Sequence, residues 1–156
     1  MGTGEAGAHQ IRKPDRRGRR ADPAGARVAD GTGMGRVLTF VYGLFALSAT
    51  ARAIVQLATR FEVAPLAYLL SLLAGLIYIA ATVGLALGAR GRLLAIVCCS
   101  IELAGVLGVG AASLYYPDAF PEATVWSRFG QGYGYVPLVL PFLGLAYLIT
   151  RRPRPA

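Results

Sequence analysis

A chain of 156 residues is long enough for one ordinary core, but 55% of its side chains are hydrophobic and only 15% are charged, too apolar a balance for a surface that must face water. The formal net charge of +8 would favour nucleic acid in a soluble protein. Here the basic residues flank apolar runs, where they hold segments on the cytoplasmic side and attract anionic lipid headgroups, so nucleic acid is not the expected partner.

Residues 1–35 show no hydrophobic periodicity, are rich in glycine, and carry the basic run RKPDRRGRR. They read as a disordered basic tail. Eight of the sixteen Lys and Arg residues fall before position 37. A signal peptide would place its apolar stretch soon after a short basic region, whereas the first apolar run here begins after Arg36 and is long enough to be retained as a span. Met34 stands immediately before that run, which raises the expectation that translation starts there and that residues 1–33 are absent from the native protein. Amino-terminal sequencing decides this.

A helix needs about 20 apolar residues to cross roughly 30 Å of hydrocarbon. Four windows meet that length, at about 37–58, 64–87, 93–115 and 133–150, and predict an all-α membrane protein, a four-transmembrane-helix bundle occupying residues 36–150. The last window is the weakest because Pro137 and Pro141 interrupt it. With the basic tail inside, the cytoplasmic face also collects Arg90, Arg92 and the basic C-terminal tail of residues 151–156, leaving only Arg60 and Arg128 outside. Both termini are therefore expected in the cytoplasm.

Two ionisable side chains lie inside the windows, Arg52 in the first and Glu102 in the third, and each costs at least about 2.5 kcal/mol at a helix centre unless paired or hydrated. Counted from the window starts, Arg52 sits about 22 Å and Glu102 about 14 Å along its helix. An ion pair between them is expected, either fixing helix register or serving transport. The other reading has Arg52 snorkelling to the headgroups and Glu102 protonated. A polar seam is predicted around the pair, from Ser48, Arg52, Gln56 and Thr59 on the first helix and Ser71, Gly75, Tyr78 and Thr82 on the second. Ser100, Ala104, Gly108 and Ala112 form a small-residue stripe on the third, suited to close helix packing. Gly84 and Gly88 add one more step of that kind.

The segment DAFPEATVWSRFGQGYGYVPLVLP, residues 118–141, interleaves aromatics with three glycines. It reads as an interfacial loop leading into a kinked helix, or as a partly re-entrant loop capping the seam, with Glu122 and Arg128 at its mouth and Trp126 among its aromatics. GQGYG and GTGMG lack the context of a nucleotide loop. His9, the one histidine, lies in the tail, and Cys98 and Cys99 read as small packing residues. No nucleophile, base and orienter stand together, so no catalytic, metal or cofactor-binding residue is expected, and no cofactor.

The phrases RVLTFVYGLFALSATARAIVQL, IELAGVLGVGAASL and TVWSRFGQGYGYVPLVLPFLGL resemble a family of small actinobacterial integral membrane proteins that has no assigned activity. The resemblance covers about residues 35–152 and implies four helices in the inner membrane. It carries over no catalytic or ligand residue, and the tail before Met34 departs from the family pattern. The expected function is a non-enzymatic component of the cell membrane or an accessory subunit, with the lipid bilayer, a second copy or another membrane protein as partner. The alternative is a small permease or channel with its pathway beside Arg52 and Glu102.

Overall fold

The computed structural model describes the backbone of residues 23–150 and the side chains of residues 33–150. Residues 1–22 of the basic tail, and all of residues 151–156, lie outside the described residues. Four α-helices follow one another: α1 (Pro23–Arg60), α2 (Pro65–Ala86), α3 (Arg92–Tyr115) and α4 (Val136–Thr150). Two 3-10 turns, Pro117–Ala119 and Ser127–Tyr133, lie between α3 and α4. No strand occurs among the described residues.

Local chemistry sets these limits. Pro65 opens α2, where its missing N–H and fixed φ suit a first turn, and Gly88 closes the helix region with φ 58°, the left-handed conformation that glycine adopts without a Cβ penalty. α2 and α3 end within about a residue of their expected windows. α1 does not: its helical backbone begins at Pro23, well before position 37, and proline again occupies a first-turn position.

Among the described residues three helices are long and apolar enough to cross a membrane, Gly33–Arg60, Pro65–Ala86 and Arg92–Tyr115. The fourth window is not one continuous helix. Ser127–Tyr133 and Val136–Thr150 meet at 99°, and the 15 residues of α4 rise only about 22 Å, short of a full hydrocarbon layer. The bend precedes both prolines. The break between them is Gly134 and Tyr135, both with positive φ, 63° and 61°, and this left-handed pair turns the chain before Pro137 is reached; Arg128, Phe129 and Gly130, with φ 48°, 61° and 77°, put a further kink inside Ser127–Tyr133. Pro141 lies inside α4 without ending it.

Much of the bundle's interior is made of small residues, with most large aliphatic side chains and several phenylalanines outside. Ala46, Ala49, Ala53, Ala74, Ala81 and Ala95 are buried, whereas Phe40, Leu47, Leu73, Leu93 and Phe142 are exposed. Only 28% to 39% of the three apolar windows is buried. Lipid tails are as apolar as leucine, so helices in a bilayer associate through close backbone approach, which small residues permit. α1 packs chiefly on α2, α2 on α3, and α3 on α4 and on the Ser127–Tyr133 turn. At one end lie Arg36, Arg90 and Arg92, and at the other the α1–α2 turn and the segment between α3 and α4. These are called the arginine end and the loop end.

Where α2 and α3 cross near the arginine end, a Cβ on Gly84 would fall 2.7 Å from the Ala95 backbone nitrogen. The Arg92 Nε donates to the Leu148 carbonyl at 3.1 Å, tying the start of α3 to the last turn of α4, where unpaired carbonyls and the helix dipole favour a cation.

Candidate functional site

Glu102 stands ten residues from the start of α3 and is 0% exposed. Its level is set by rise per residue: about 15 Å from the arginine end. Tyr42 of α1 and Tyr78 of α2, both 0% exposed, arrive at a similar depth. The Tyr42 hydroxyl donates to Glu102 Oε2 at 2.8 Å and also lies 3.3 Å from Cys99 Sγ, one turn below on α3. A Cβ on Gly144 of α4 would meet that same sulfur at 2.9 Å, so α1, α3 and α4 converge on one point.

The ion pair expected between Arg52 and Glu102 does not form. Arg52 Nη1 donates instead to the Tyr133 hydroxyl at 3.0 Å. The reason is depth. Tyr42 is the α1 residue level with Glu102, and Arg52 lies ten residues, about 15 Å, farther along the same helix. Aromatic rings fill the interval: Tyr133 packs on Phe45 at 5.9 Å between centroids, Phe45 on Tyr78 at 6.0 Å, and Tyr78 on Tyr42 at 6.1 Å. The two ionisable groups thus stand at opposite ends of a ladder of edge-on and tilted rings, a geometry that such rings favour.

The polar seam forms on one helix only. Ser71 and Gly75 are buried, Tyr78 fully so, and Thr82 is half-buried, which puts the α2 set inside. On α1, Ser48, Arg52 and Thr59 are exposed and Gln56 is half-buried. The inward face of that helix is Leu38, Tyr42, Ala46, Ala49 and Ala53, because alanines allow α1 to approach α2, and a Cβ on Gly75 would touch the Thr50 Oγ1 at 2.5 Å. Hydroxyls did not need a seam: Thr59, Ser71, Thr82 and Ser100 each donate to the carbonyl four residues back, which satisfies them within their own helix.

The small-residue stripe is likewise displaced. Ser100, Ala104 and Gly108 are exposed and Ala112 is half-buried. The close approaches on α3 come from Gly105 and Gly110. A Cβ on Gly105 would lie 2.8 Å from the Trp126 ring, and one on Gly110 2.6 Å from the Phe129 ring. These glycines are seats for two aromatics of the segment that follows α3.

That segment folds back into the loop end of the bundle. Trp126 is 2% exposed, buried against α3 rather than lying at the periphery. Its backbone is held by reciprocal hydroxyl bonds: Thr124 Oγ1 accepts from the N–H groups of Trp126 at 3.1 Å and Ser127 at 2.9 Å, while Ser127 Oγ accepts from the Thr124 N–H at 2.9 Å. Such side-chain bonds are what Ser and Thr offer a tight turn. Ser113 of α3 then anchors it, donating to the Gly110 carbonyl at 2.9 Å and accepting from the Arg128 N–H at 2.8 Å.

Above Trp126, at the level of Ser113, an open cleft of about 420 Å³ is lined in part by Ser113, Phe120, Ser127, Arg128 and Gln131. Arg128 is exposed there, and Glu122, half-buried, is not among the lining residues. Trp126 therefore lies between the cleft and Glu102.

Three buried polar atoms in this region have no hydrogen-bond partner among the described residues: Glu102 Oε1, Tyr78 Oη and Trp126 Nε1. The Tyr78 hydroxyl stands beside both the Glu102 carboxyl and the Trp126 indole without completing a bond of good geometry to either. Among the described residues no three His, Cys, Asp or Glu side chains gather to hold a metal ion. What the centre offers is a carboxyl, two phenols, an indole N–H and a thiol, groups that bind by hydrogen bonding.

Tyr42 was not singled out from the sequence, although a tyrosine well inside an apolar window, four residues from a buried alanine face, is a signal of the same kind as Tyr78. Gly105, Gly110, Thr124 and Ser113 carried no such signal, since their roles depend on where the segment after α3 folds. No family model, no curated protein and no solved structure matches the chain.

Proposed function

We propose that the chain is a non-enzymatic integral component of the cell membrane, crossing it four times with both termini in the cytoplasm, and that the Glu102 centre is its working part. The observation that carries this reading is a fully buried carboxyl in the middle of an apolar span, covered from the loop end by Trp126. A carboxyl there costs at least about 2.5 kcal/mol, whereas an apolar residue would pack without that cost, so its presence is supported by use rather than by stability. Four crossings rest on counting Ser127–Tyr133 with α4 as one bent span. The orientation rests on Arg36, Arg90 and Arg92 sharing the arginine end, where anionic headgroups would meet them. Membership of the family of small actinobacterial four-helix membrane proteins belongs to the same proposal and rests on the three phrases quoted above. The exposed face Ser100, Ala104 and Gly108 offers a second copy or another membrane protein a surface for close helix approach.

One observation favours the alternative, a small permease: an open cleft lined by Arg128 and Gln131 lies at the loop end, beside Ser127 and so next in the chain to Trp126. Reconstitution separates the two. The purified chain, alone in vesicles with an entrapped pH dye, is expected to show the same proton leak as its Glu102→Gln variant. A leak that the wild type shows and Glu102→Gln abolishes would replace the first reading by the second.

A further inference from the structure

Where α1 meets the last turn of α2 and the end of α4, the arginine end carries an open groove of about 540 Å³. Its chemistry changes along its length. Arg36 stands at the rim, exposed, where the apolar window of α1 begins, and Phe40 lies one turn, about 6 Å, deeper on the same face of the helix. Phe40 is 71% exposed, and Leu85 and Ala86 contribute the α2 side. Thr39 lines the groove too, but its hydroxyl donates to the Gly35 carbonyl at 2.8 Å and is engaged within α1. Tyr147 of α4 closes the groove behind Gly35, where any Cβ would collide with the Tyr147 hydroxyl. One end is thus cationic and the rest mostly apolar. The described acids outside the Glu102 centre, Glu62, Asp118 and Glu122, all lie at the loop end, whereas Arg36, Arg90 and Arg92 share the arginine end.

We propose that this groove is a binding site for one phospholipid of net negative charge, with its phosphate against the Arg36 guanidinium and an acyl chain along Phe40 and Leu85. The polarity of the groove selects the guest. A sugar or a nucleotide would set polar groups against Phe40, Leu85 and Ala86 and lose their hydration there, and a cation would be repelled by the arginines. A wholly apolar molecule would make no use of the guanidinium. An amphiphile matches both parts, and a basic residue at the edge of a span lies among lipid headgroups. A zwitterionic headgroup would bring its own ammonium to an end that holds arginines and no acid among the described residues, so a net negative one is favoured. One molecule held here bridges α1 and α4, which touch each other far less than α1 touches α2.

The site is separate from the Glu102 centre and requires only that the bundle lies in lipid, whichever leaflet the arginine end meets. Native mass spectrometry of the full-length chain released from micelles tests it, with phosphatidylglycerol and phosphatidylcholine titrated in turn. The expected result is a first bound phosphatidylglycerol held about fivefold more tightly than phosphatidylcholine, the effect of one basic residue at an anionic surface, with that preference lost in Arg36→Gln. Ala86→Phe fills the apolar part and keeps the charge, and is expected to weaken both lipids. Arg90→Gln, at the same end but outside the groove, is expected to keep the preference. Arg36, Ala86 and Arg90 are all exposed, so the three variants are expected to fold. No preference in the wild type would overturn the proposal. A preference that survives Arg36→Gln, or is lost equally in Arg90→Gln, would assign the lipid to the basic tail or to the arginine end at large and overturn it too. So would lipid binding unchanged in Ala86→Phe, and lipid-free dimers abolished by that variant would give the groove to a second copy instead.

Discussion

At the residue scale the decisive contact is the one between Tyr42 and Glu102. Glu102 itself was legible in the sequence, because a carboxylic acid inside an unbroken apolar window is conspicuous. Its partner was not, because depth counted from position 37 places Arg52 too near it, and only the packed α1 shows that Tyr42 is the level residue. Tyr42→Phe removes the one hydrogen bond to Oε2 and is expected to cost about 1–3 kcal/mol, the range for stranding a buried acceptor. Arg52→Gln, on an exposed residue whose guanidinium donates to the Tyr133 hydroxyl and lies 5.9 Å from the centre of that ring, is expected to change stability by under about 1 kcal/mol. Thermal unfolding of the two variants in the same detergent checks the order. Equal losses, or a larger loss at Arg52, would restore the ion pair.

At the element scale, α2 and α3 could be read closely from composition, since each is a long apolar run ended by a turn and flanked by Gly or Pro. The face of α1 could not. Ser48, Arg52, Gln56 and Thr59 recur at helical spacing, but so do Ala46, Ala49 and Ala53, and in a bilayer the small residues win the inner position because they let backbones touch. The segment after α3 was legible only as an aromatic and glycine-rich stretch with two readings. Which of them holds depends on Arg128 and Phe129 adopting φ values of 48° and 61°, a conformation that L residues adopt seldom. Glycine substitutions expose the difference between the stripe read from the sequence and the seats found in the fold. Gly105→Ala is expected to cost about 1–3 kcal/mol by overpacking against the indole, with a change in Trp126 emission. Gly108→Ala, with nothing within 4 Å of the added Cβ, is expected to be neutral or to stabilise by under about 1 kcal/mol through helix propensity. Melting temperatures with the emission spectrum decide it, and the reverse ranking would mean that α3 presents its other face to the segment.

At the scale of the whole molecule, the distribution of side chains is what apolar helices adopt in lipid, with alanines, cysteines and the tyrosines of the centre inside and most of the large aliphatic side chains outside. The orientation of that bundle is argued from arginine placement alone and can be checked directly. Cys98 and Cys99 are 5% and 0% exposed and are expected to stay unreactive toward a membrane-impermeant maleimide. In intact cells, Gln131→Cys, in the cleft at the loop end, is expected to label, and Arg90→Cys, at the arginine end, only after the cells are opened. Labelling of Arg90→Cys from outside would invert the proposed topology.

The segment carrying Trp126 is folded into the bundle and covers Glu102 from the loop end. Fluorescence quenching by acrylamide in reconstituted vesicles tests it most directly, because the single tryptophan is the only indole that can respond. Blue-shifted emission that acrylamide scarcely quenches is expected in the wild type, and a red shift with quenching when Gly105→Ala displaces the ring. Water-like emission from the wild type, quenched by acrylamide as strongly as a free indole, would place Trp126 outside the bundle and leave Glu102 uncovered.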